Sequence, residues 1–118
     1  MASDILIVYC TLPPKTDAES ASSDQNDAEG IARTLVAEKL AACVNVVPGV
    51  RSFYRWQGNI CDDAEMLAII KTTRNRFEAL RARLVEIHPY DCPEIIALPV
   101  DAGHPEYMAW VRDMTAPE

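Results

Sequence analysis

Runs and alternations of hydrophobic residues divide the chain into strand-type and helix-type stretches. Residues Ile5–Cys10 form a continuous apolar run between polar residues and a proline pair, which is typical of a strand covered on both faces. Residues 15–27 are mainly polar or charged and predict a flexible, solvated loop. Asn26, with Glu29 three positions later, has the form of a capping box, so the first helix is expected to begin there.

The first helix has apolar residues at helical spacing and is expected to pass into a β-rich stretch at about Ala42. The positions expected on its buried face are Ile31, Leu35, Val36 and Leu40.

The stretch Glu38–Trp56 is the one around which the rest of the chain is organised. Proline cannot donate a hydrogen bond to a strand ladder, so the pair Pro48-Gly49 predicts one long strand with a bulge or bend. A strand of this length can extend past its own sheet and pair with a neighbouring chain. The sequence therefore predicts an oligomer.

The second half of the chain repeats the alternation of strands and helices. Gln57-Gly58-Asn59 predicts a turn into a second long strand over residues 60–72. A second helix is expected to end before Pro89, and a strand over residues 94–100 and a short helix from Pro105 follow. The positions expected on the inner faces of these helices are Phe77, Leu80, Leu84 and Ile87, and then Tyr107, Trp110, Val111 and Met114.

This order of elements is that of a split βαβ unit. The predicted fold class is α+β, with a ferredoxin-like βαββαβ antiparallel sheet and a C-terminal helix. Right-handed crossovers place both main helices on one face of the sheet. The other face is too apolar to stay in water, which predicts burial against other subunits. The residues assigned to that face are Cys43, Val44, Val46, Val47, Leu67, Ile69 and Ile70.

Length, charge and cysteine usage narrow the class of protein. The 118 residues fit one domain over residues 1–118, and a net charge of −7 with scattered Lys and Arg argues against nucleic-acid binding. No apolar run is long enough to cross a bilayer, and the N-terminus lacks the pattern of a secretory signal, so no membrane association is expected. The four cysteines form no C-x-x-C pair, which favours reduced thiols and a cytoplasmic location.

The sequence favours a protein that is not an enzyme. It contains no Gly-rich phosphate loop, no G-x-S-x-G elbow and no His-Glu-x-x-His motif. A nucleophilic cysteine would need a base at the thiol and a third group to orient that base, and nothing in the sequence brings these together.

Potential metal ligands are densest in residues 88–94, which include His88, Cys92 and Glu94. Imidazole, thiolate and carboxylate together suit copper or zinc. Two prolines hold this segment extended, so a rigid connector is favoured over a complete local metal site, and a site shared between subunits stays open. Cys43 is interpreted as a small core residue or as a further ligand. The candidate metal ligands are Cys43, His88 and Glu94.

Lys71 follows Leu67 and Ile69 at the same parity in the second long strand. Its ammonium group either reaches water along its stem or lines a cleft between subunits. Such a cleft would offer a cation, aromatic faces and a carboxylate to a small anion or a metal complex. The residues assigned to binding in this cleft are Tyr54, Trp56, Lys71, Tyr90 and Glu94, beside His88.

Three stretches carry a family resemblance. LAACVNVVPGVRSFYRWQGNI, EMLAIIKT and HPYDCPEIIALPV resemble the CutA family of divalent-ion tolerance proteins, and the likeness extends from Ile5 to Met114. The resemblance implies a ferredoxin-like subunit in a tight cytoplasmic homotrimer, binding of copper or another divalent metal ion, a role in metal tolerance and no organic cofactor. Cys92 departs from the family pattern, which more often has a small aliphatic residue there.

Two alternative functions accompany this resemblance. The family is similar in architecture to the PII signalling proteins, so the chain is alternatively a PII-like regulator that binds a small effector in clefts between subunits. The third hypothesis is a trimeric scaffold for a protein partner.

Overall fold

The structure is a computed structural model that describes residues 4–14 and 27–117. Of the predicted loop over residues 15–27, only Asp27 lies within the described residues. The elements are β1 Ile5–Leu12, α1 Ala28–Ala37, β2 Cys43–Trp56, β3 Asn59–Thr73, α2 Arg74–Ile87, β4 Ile96–Pro99 and α3 Pro105–Thr115.

The four strands of the described residues form one antiparallel sheet in the order β2-β3-β1-β4. β4 is a short edge strand that ends at Pro99, a position where a missing N–H donor leaves no gap inside the sheet. Three helices accompany the sheet in the described part of the chain. The predicted α+β class is confirmed.

β2 is one long strand with an irregularity at Pro48-Gly49, as predicted. The register with β3 shifts by one residue between Val47 and Val50, so β2 contains an extra residue there. Gly49 has a φ of 78°, a backbone conformation that favours glycine because it has no Cβ. The bulge is therefore built from a residue without a ladder donor and a residue that accepts left-handed geometry.

The β2–β3 pair extends past the rest of the sheet. β1 pairs with β3 only as far as Met66, so residues 50–65, here called the projecting hairpin, form a two-stranded ribbon. Gln57 and Gly58 at its turn both have positive φ, 50° and 83°, as a two-residue type I′ turn requires. The strongly exposed apolar side chains on it are Phe53, Trp56 and Ile60, at 63%, 56% and 77%.

The main core lies between one face of the sheet and helices α1 and α2. Alternate residues of β1 point into it, because successive side chains of a strand project to opposite faces. The core residues of β1 and α2 are Val8, Cys10, Leu12, Leu80, Leu84 and Ile87.

The start of α1 differs from the prediction. The helix begins at Ala28, and the Asp27 carboxylate accepts a hydrogen bond from the backbone N–H of Gly30 at 2.7 Å. Asn26, the predicted cap, lies outside the described residues. The helix ends at Ala37, before Ala42, and Val36 is exposed rather than buried.

The residues on the face of the sheet without main helices also differ from the prediction. Ile70 is fully buried on the helix-covered face, and Val44 lies directly opposite it, so both belong to the covered side. Val46 lies opposite buried Ala68 and has the same orientation. The prediction was wrong for these three residues because it combined positions of both parities. The uncovered side, here called the open face, contains Ile7, Tyr9, Thr11, Cys43, Asn45, Val47, Leu67, Ile69, Lys71, Ile96 and Leu98.

Helix α3 packs near the start of β1. Val111 is fully buried with Ile5 and Ala42, and the Arg112 guanidinium forms two hydrogen bonds to the Asp4 carboxylate at 2.7 and 2.9 Å. The prediction that four residues of α3 share one buried face is only partly correct. Within one chain the following three of its four residues are exposed: Tyr107, Trp110 and Met114.

Leu84→Ala should lower the free energy of unfolding by about 2–5 kcal/mol, because it leaves a cavity where a side chain is 0% exposed. Val85→Ala on the same helix is the matched control, since Val85 is 51% exposed, and it should cost less than about 1 kcal/mol. Chemical denaturation at one fixed protein concentration measures both. Equal losses for the two variants would contradict the core described here.

Candidate functional site

A cluster of polar side chains surrounds Glu65, where β3 leaves the four-stranded sheet. Glu65 is only 8% exposed, and its Oε2 accepts a hydrogen bond from the Tyr90 hydroxyl at 2.9 Å. The Tyr90 ring lies 4.7 Å from the His88 ring, centroid to centroid. Nearby, the Tyr54 hydroxyl donates to Oδ2 of Asp63. We call these five residues the Glu65 cluster.

The connector between α2 and β4, residues 88–95, places His88 and Tyr90 in this cluster. Helix α2 ends because Pro89 has no N–H and restricts the backbone before it. The backbone N–H of Tyr90 donates to Nδ1 of His88 at 3.1 Å, and His88 Nε2 lies 2.8 Å from the carbonyl oxygen of Thr11. The imidazole therefore joins the connector to the end of β1.

The environment shifts the pKa values of the two tyrosines and of His88 in the direction that favours their neutral forms. Burial raises the pKa of Tyr90, and its hydrogen bond to the Glu65 carboxylate raises it further. The hydrogen bond to Asp63 raises the pKa of Tyr54 to about 12. Burial lowers the pKa of His88, although its bond to Thr11 and the negative charge of Glu65 act in the opposite direction.

Cys10 lies beside this cluster in the core. Burial raises the pKa of its thiol to about 12, and the negative charges of Glu94 and Glu65 add to the effect. Thiols react as thiolates, so this one is inert at neutral pH. The sequence argues against a nucleophilic cysteine activated by histidine, and the structure offers no support for such chemistry at Cys10.

Lys71 belongs to a separate group of residues. It lies directly opposite Cys43 on the open face, and its Nζ donates to Oδ1 of Asn45. Tyr107 of α3 is close to the same thiol, and its pKa is raised by burial and then by Cys43. Lys71 is six positions after Glu65 on β3, a distance of about 20 Å along an extended strand. One chain alone does not bring Lys71 to Tyr54 or Tyr90.

The other two residues of the predicted cleft are also apart. Trp56 lies beside the turn of the projecting hairpin and is opposite Asn59. Glu94 is exposed in the connector and close enough to Cys10 to influence its pKa. The described chain therefore assembles Tyr54 and Tyr90 around carboxylates, and it leaves Lys71 and Trp56 at separate places.

The three candidate metal ligands do not meet within one chain. Among residues 4–14 and 27–117, no group of three or more His, Cys, Asp or Glu side chains is arranged to hold a metal ion. Cys43 lies opposite Lys71, whereas His88 is bonded to Thr11, whose β3 partner is four residues from Lys71. Cys43 and the Thr11 carbonyl that binds the imidazole are therefore about 13 Å apart along the strand direction.

Sequence reasoning missed Glu65 and Asp63. Their signal was present, since both carboxylates immediately precede the apolar part of β3 at Met66. Only the fold showed that the connector brings the Tyr90 hydroxyl to this end of the strand. Glu65 is the acceptor on which the cluster depends.

The fold and the site define a small α+β protein with one covered sheet face, one open face and a polar cluster at the base of its projecting hairpin. A sequence profile of the family described as "CutA1 divalent ion tolerance protein" matches residues 6–114. The chain belongs to this family, whose name describes tolerance of ions and not a catalysed reaction.

Individual relatives agree with this assignment. The chain is 51% identical over 88 residues to the divalent-cation tolerance protein CutA of Thermus thermophilus, covering 75% of this chain and 85% of the relative. It is 40% identical over 110 residues to the chloroplastic protein CutA 1 of Oryza sativa, covering 93% of this chain but only 56% of the relative. No described helix is long and apolar enough to cross a membrane.

A solved structure of the divalent cation tolerance protein Cut A1 from Thermus thermophilus superposes with a TM-score of 0.82 at 43% identity, covering 95% of this chain and 99% of that chain. The predicted family is therefore confirmed by sequence and by fold.

Glu65→Gln should lower the pKa of Tyr90 towards its ordinary value, because the variant removes the charge that favours the neutral phenol. A folded-state pKa above the unfolded value stabilises the protein below pH 10, and that stability is lost as pH rises through the raised value. Glu65→Gln should therefore reduce this alkaline loss of stability. Absorbance titration of tyrosine, with Tyr90→Phe to assign the signal, measures the shift.

Asp62→Asn is the control for this prediction, since Asp62 lies on the same strand but pairs with Arg51. It should leave the Tyr90 titration unchanged. An unaltered titration in Glu65→Gln would contradict the role given to the carboxylate.

Proposed function

We propose that this chain works as a homotrimer that binds divalent metal ions, copper among them, and contributes to metal tolerance without catalysing a reaction. The observation that carries this proposal is the family match over residues 6–114. The names of the Thermus thermophilus relative and of its solved structure refer to divalent cations, and we extend that property to this chain.

Self-association is supported by the apolar surface that one chain leaves uncovered. The open face ends in exposed Ile96 and Leu98 on β4, and the projecting hairpin carries exposed Phe53, Trp56 and Ile60. Exposed apolar surface on this scale is typical of a protein interface. The strand order β2-β3-β1-β4 fits a ferredoxin-like subunit, whose two crossover helices lie on the same face of the sheet. Three copies that cover one another's open faces would satisfy both features.

The ligand site is proposed to form between subunits. Lys71 lies about 20 Å along β3 from Glu65 in its own chain. A cleft that uses Lys71 together with Tyr54, Tyr90 and Glu94 therefore needs those groups from a neighbouring copy. The projecting hairpin, which carries Trp56, is the element long enough to reach one.

The proposed metal donors are Cys43 and Glu94, completed by groups of a second subunit. His88, the third candidate ligand from the sequence, differs from them in its contacts. Cys43 and Glu94 are accessible for this role, since the first is half-buried on the open face and the second is exposed. His88 has both ring nitrogens in hydrogen bonds within its own chain, so its participation would require breaking them.

A PII-like role is the second candidate. The half-buried Lys71 ammonium on an otherwise largely apolar sheet face favours it, because a fixed cation beside apolar surface suits a small anionic effector. Native mass spectrometry of freshly purified protein separates the two functions, since a retained small molecule at one per subunit supports the PII-like role.

The cytoplasm is the proposed location. All four cysteines are free, as is typical of proteins in a reducing compartment.

Sedimentation of the wild-type protein at micromolar concentration should give a trimer. Leu98→Asp on the open face should shift the mass towards a single chain, because a charge there cannot be buried without a partner. Val85→Asp on the outer side of α2 is the matched control and should remain trimeric. A compact, folded single chain for the wild type would contradict the proposed assembly.

Calorimetry with Cu(II), Cu(I) and Zn(II) should show binding to the wild type. Cys43→Ala should weaken metal binding by about tenfold or more, because the loss of a group that merely supports a ligand already reduces affinity by about tenfold. Cys61→Ala is the control, since Cys61 has similar exposure but lies on the projecting hairpin. Dissociation constants no tighter than millimolar for all three ions would exclude direct metal binding.

A further inference from the structure

The imidazole of His88 is almost fully enclosed, at 7% exposure, and both of its nitrogens have backbone partners. Nε2 lies 2.8 Å from the carbonyl oxygen of Thr11, and the backbone nitrogen of Tyr90 lies 3.1 Å from Nδ1. A metal ion binds to a ring nitrogen through a lone pair that carries no proton and accepts no hydrogen bond. Neither nitrogen offers such a lone pair in this arrangement.

The two partners determine the state of the ring. A carbonyl oxygen can only accept, so Nε2 must carry a proton and donate it to Thr11. A backbone N–H can only donate, so Nδ1 must be unprotonated and accept from Tyr90. The ring is therefore the neutral Nε2–H tautomer.

We infer that His88 is a positioning residue that fixes Tyr90 against Glu65, and that it is not a metal ligand in this fold. The ring contacts Tyr90 twice, through the bond from its backbone N–H and through the 4.7 Å ring contact. The hydroxyl of the same tyrosine donates to Glu65. The bond to Thr11 anchors this arrangement to β1, so the position of the phenol depends on the imidazole.

The inference concerns the proposed metal function but is tested separately from it, because the tautomer is measured without metal. If metal ions bind this chain, their donors are thiolates and carboxylates, such as Cys43 and Glu94, rather than this imidazole.

Long-range proton–nitrogen NMR of the nitrogen-labelled full-length protein at neutral pH tests the inference. The chain contains two histidines, and His104→Ala assigns their signals. His88 should show the Nε2–H pattern with an unprotonated Nδ1. One equivalent of Zn(II) per chain should leave the His88 signals unchanged. His104 is exposed and makes no capping hydrogen bond, so it serves as the internal reference for an accessible ring.

Two variants separate positioning from ligation. In His88→Asn, the amide oxygen can replace Nδ1 as acceptor for Tyr90, whereas His88→Ala provides neither bond. In the tyrosine absorbance titration, the pKa of Tyr90 should fall towards its ordinary value in His88→Ala. It should fall less in His88→Asn. Zn(II) affinity should stay within about twofold of the wild type in both variants. If His88 bound the metal ion or supported one of its ligands, either substitution would weaken binding by at least about tenfold.

A protonated Nδ1 in the metal-free protein, or His88 nitrogen signals that shift with Zn(II), would overturn the inference. So would a loss of Zn(II) affinity in both variants with an unchanged Tyr90 titration. If His88→Ala does not fold, the wild-type NMR result decides. Absence of Zn(II) binding to the wild type would count against the proposed metal function and would leave the tautomer result standing.

Discussion

Two helices cover only one face of the four-stranded sheet, and the other features of the molecule follow from this constraint. The covered face contains the main core, in which Val8, Ile70 and Leu84 are fully buried. The open face holds apolar residues and one ammonium group, that of Lys71. Burial of apolar area is the main stabilising contribution to folding and association. An uncovered apolar sheet face favours association with other copies, which is the basis of the proposed trimer.

The bulge at Gly49 and the Glu65 cluster lie beside each other in the sheet. The register shift ends where Val50 meets Glu65, the same residue that accepts the Tyr90 hydroxyl. The four-stranded sheet thus ends, the projecting hairpin begins and the connector attaches at one place. A buried carboxylate is costly without hydrogen-bond donors, and the phenol from the connector supplies one.

The predicted cleft illustrates what residue types alone leave undecided. Tyr54, Tyr90 and Lys71 are suitable for a binding site, and the structure places the two tyrosines near carboxylates. It places Lys71 at the other end of the shared part of β3, opposite Cys43. Parity was predicted correctly for Lys71, Leu67 and Ile69 but not for Ile70. The distance between two residues of one strand is fixed by the number of residues between them. The neighbours of each residue on adjacent strands depend on the register.

The sequence by itself determined the elements, their order and the bulge at Pro48-Gly49, because these depend on local backbone chemistry and periodicity. It also determined the family, because whole stretches of the chain resemble the sequences of that family. Only the tertiary structure decided which residues became partners across long separations. It showed that Glu65 receives Tyr90 and that the His88 ring is engaged by Thr11, 77 positions away. The physical reason is that hydrogen bonds and burial depend on distances in space, and antiparallel pairing brings together residues whose separation along the chain carries no periodic signal.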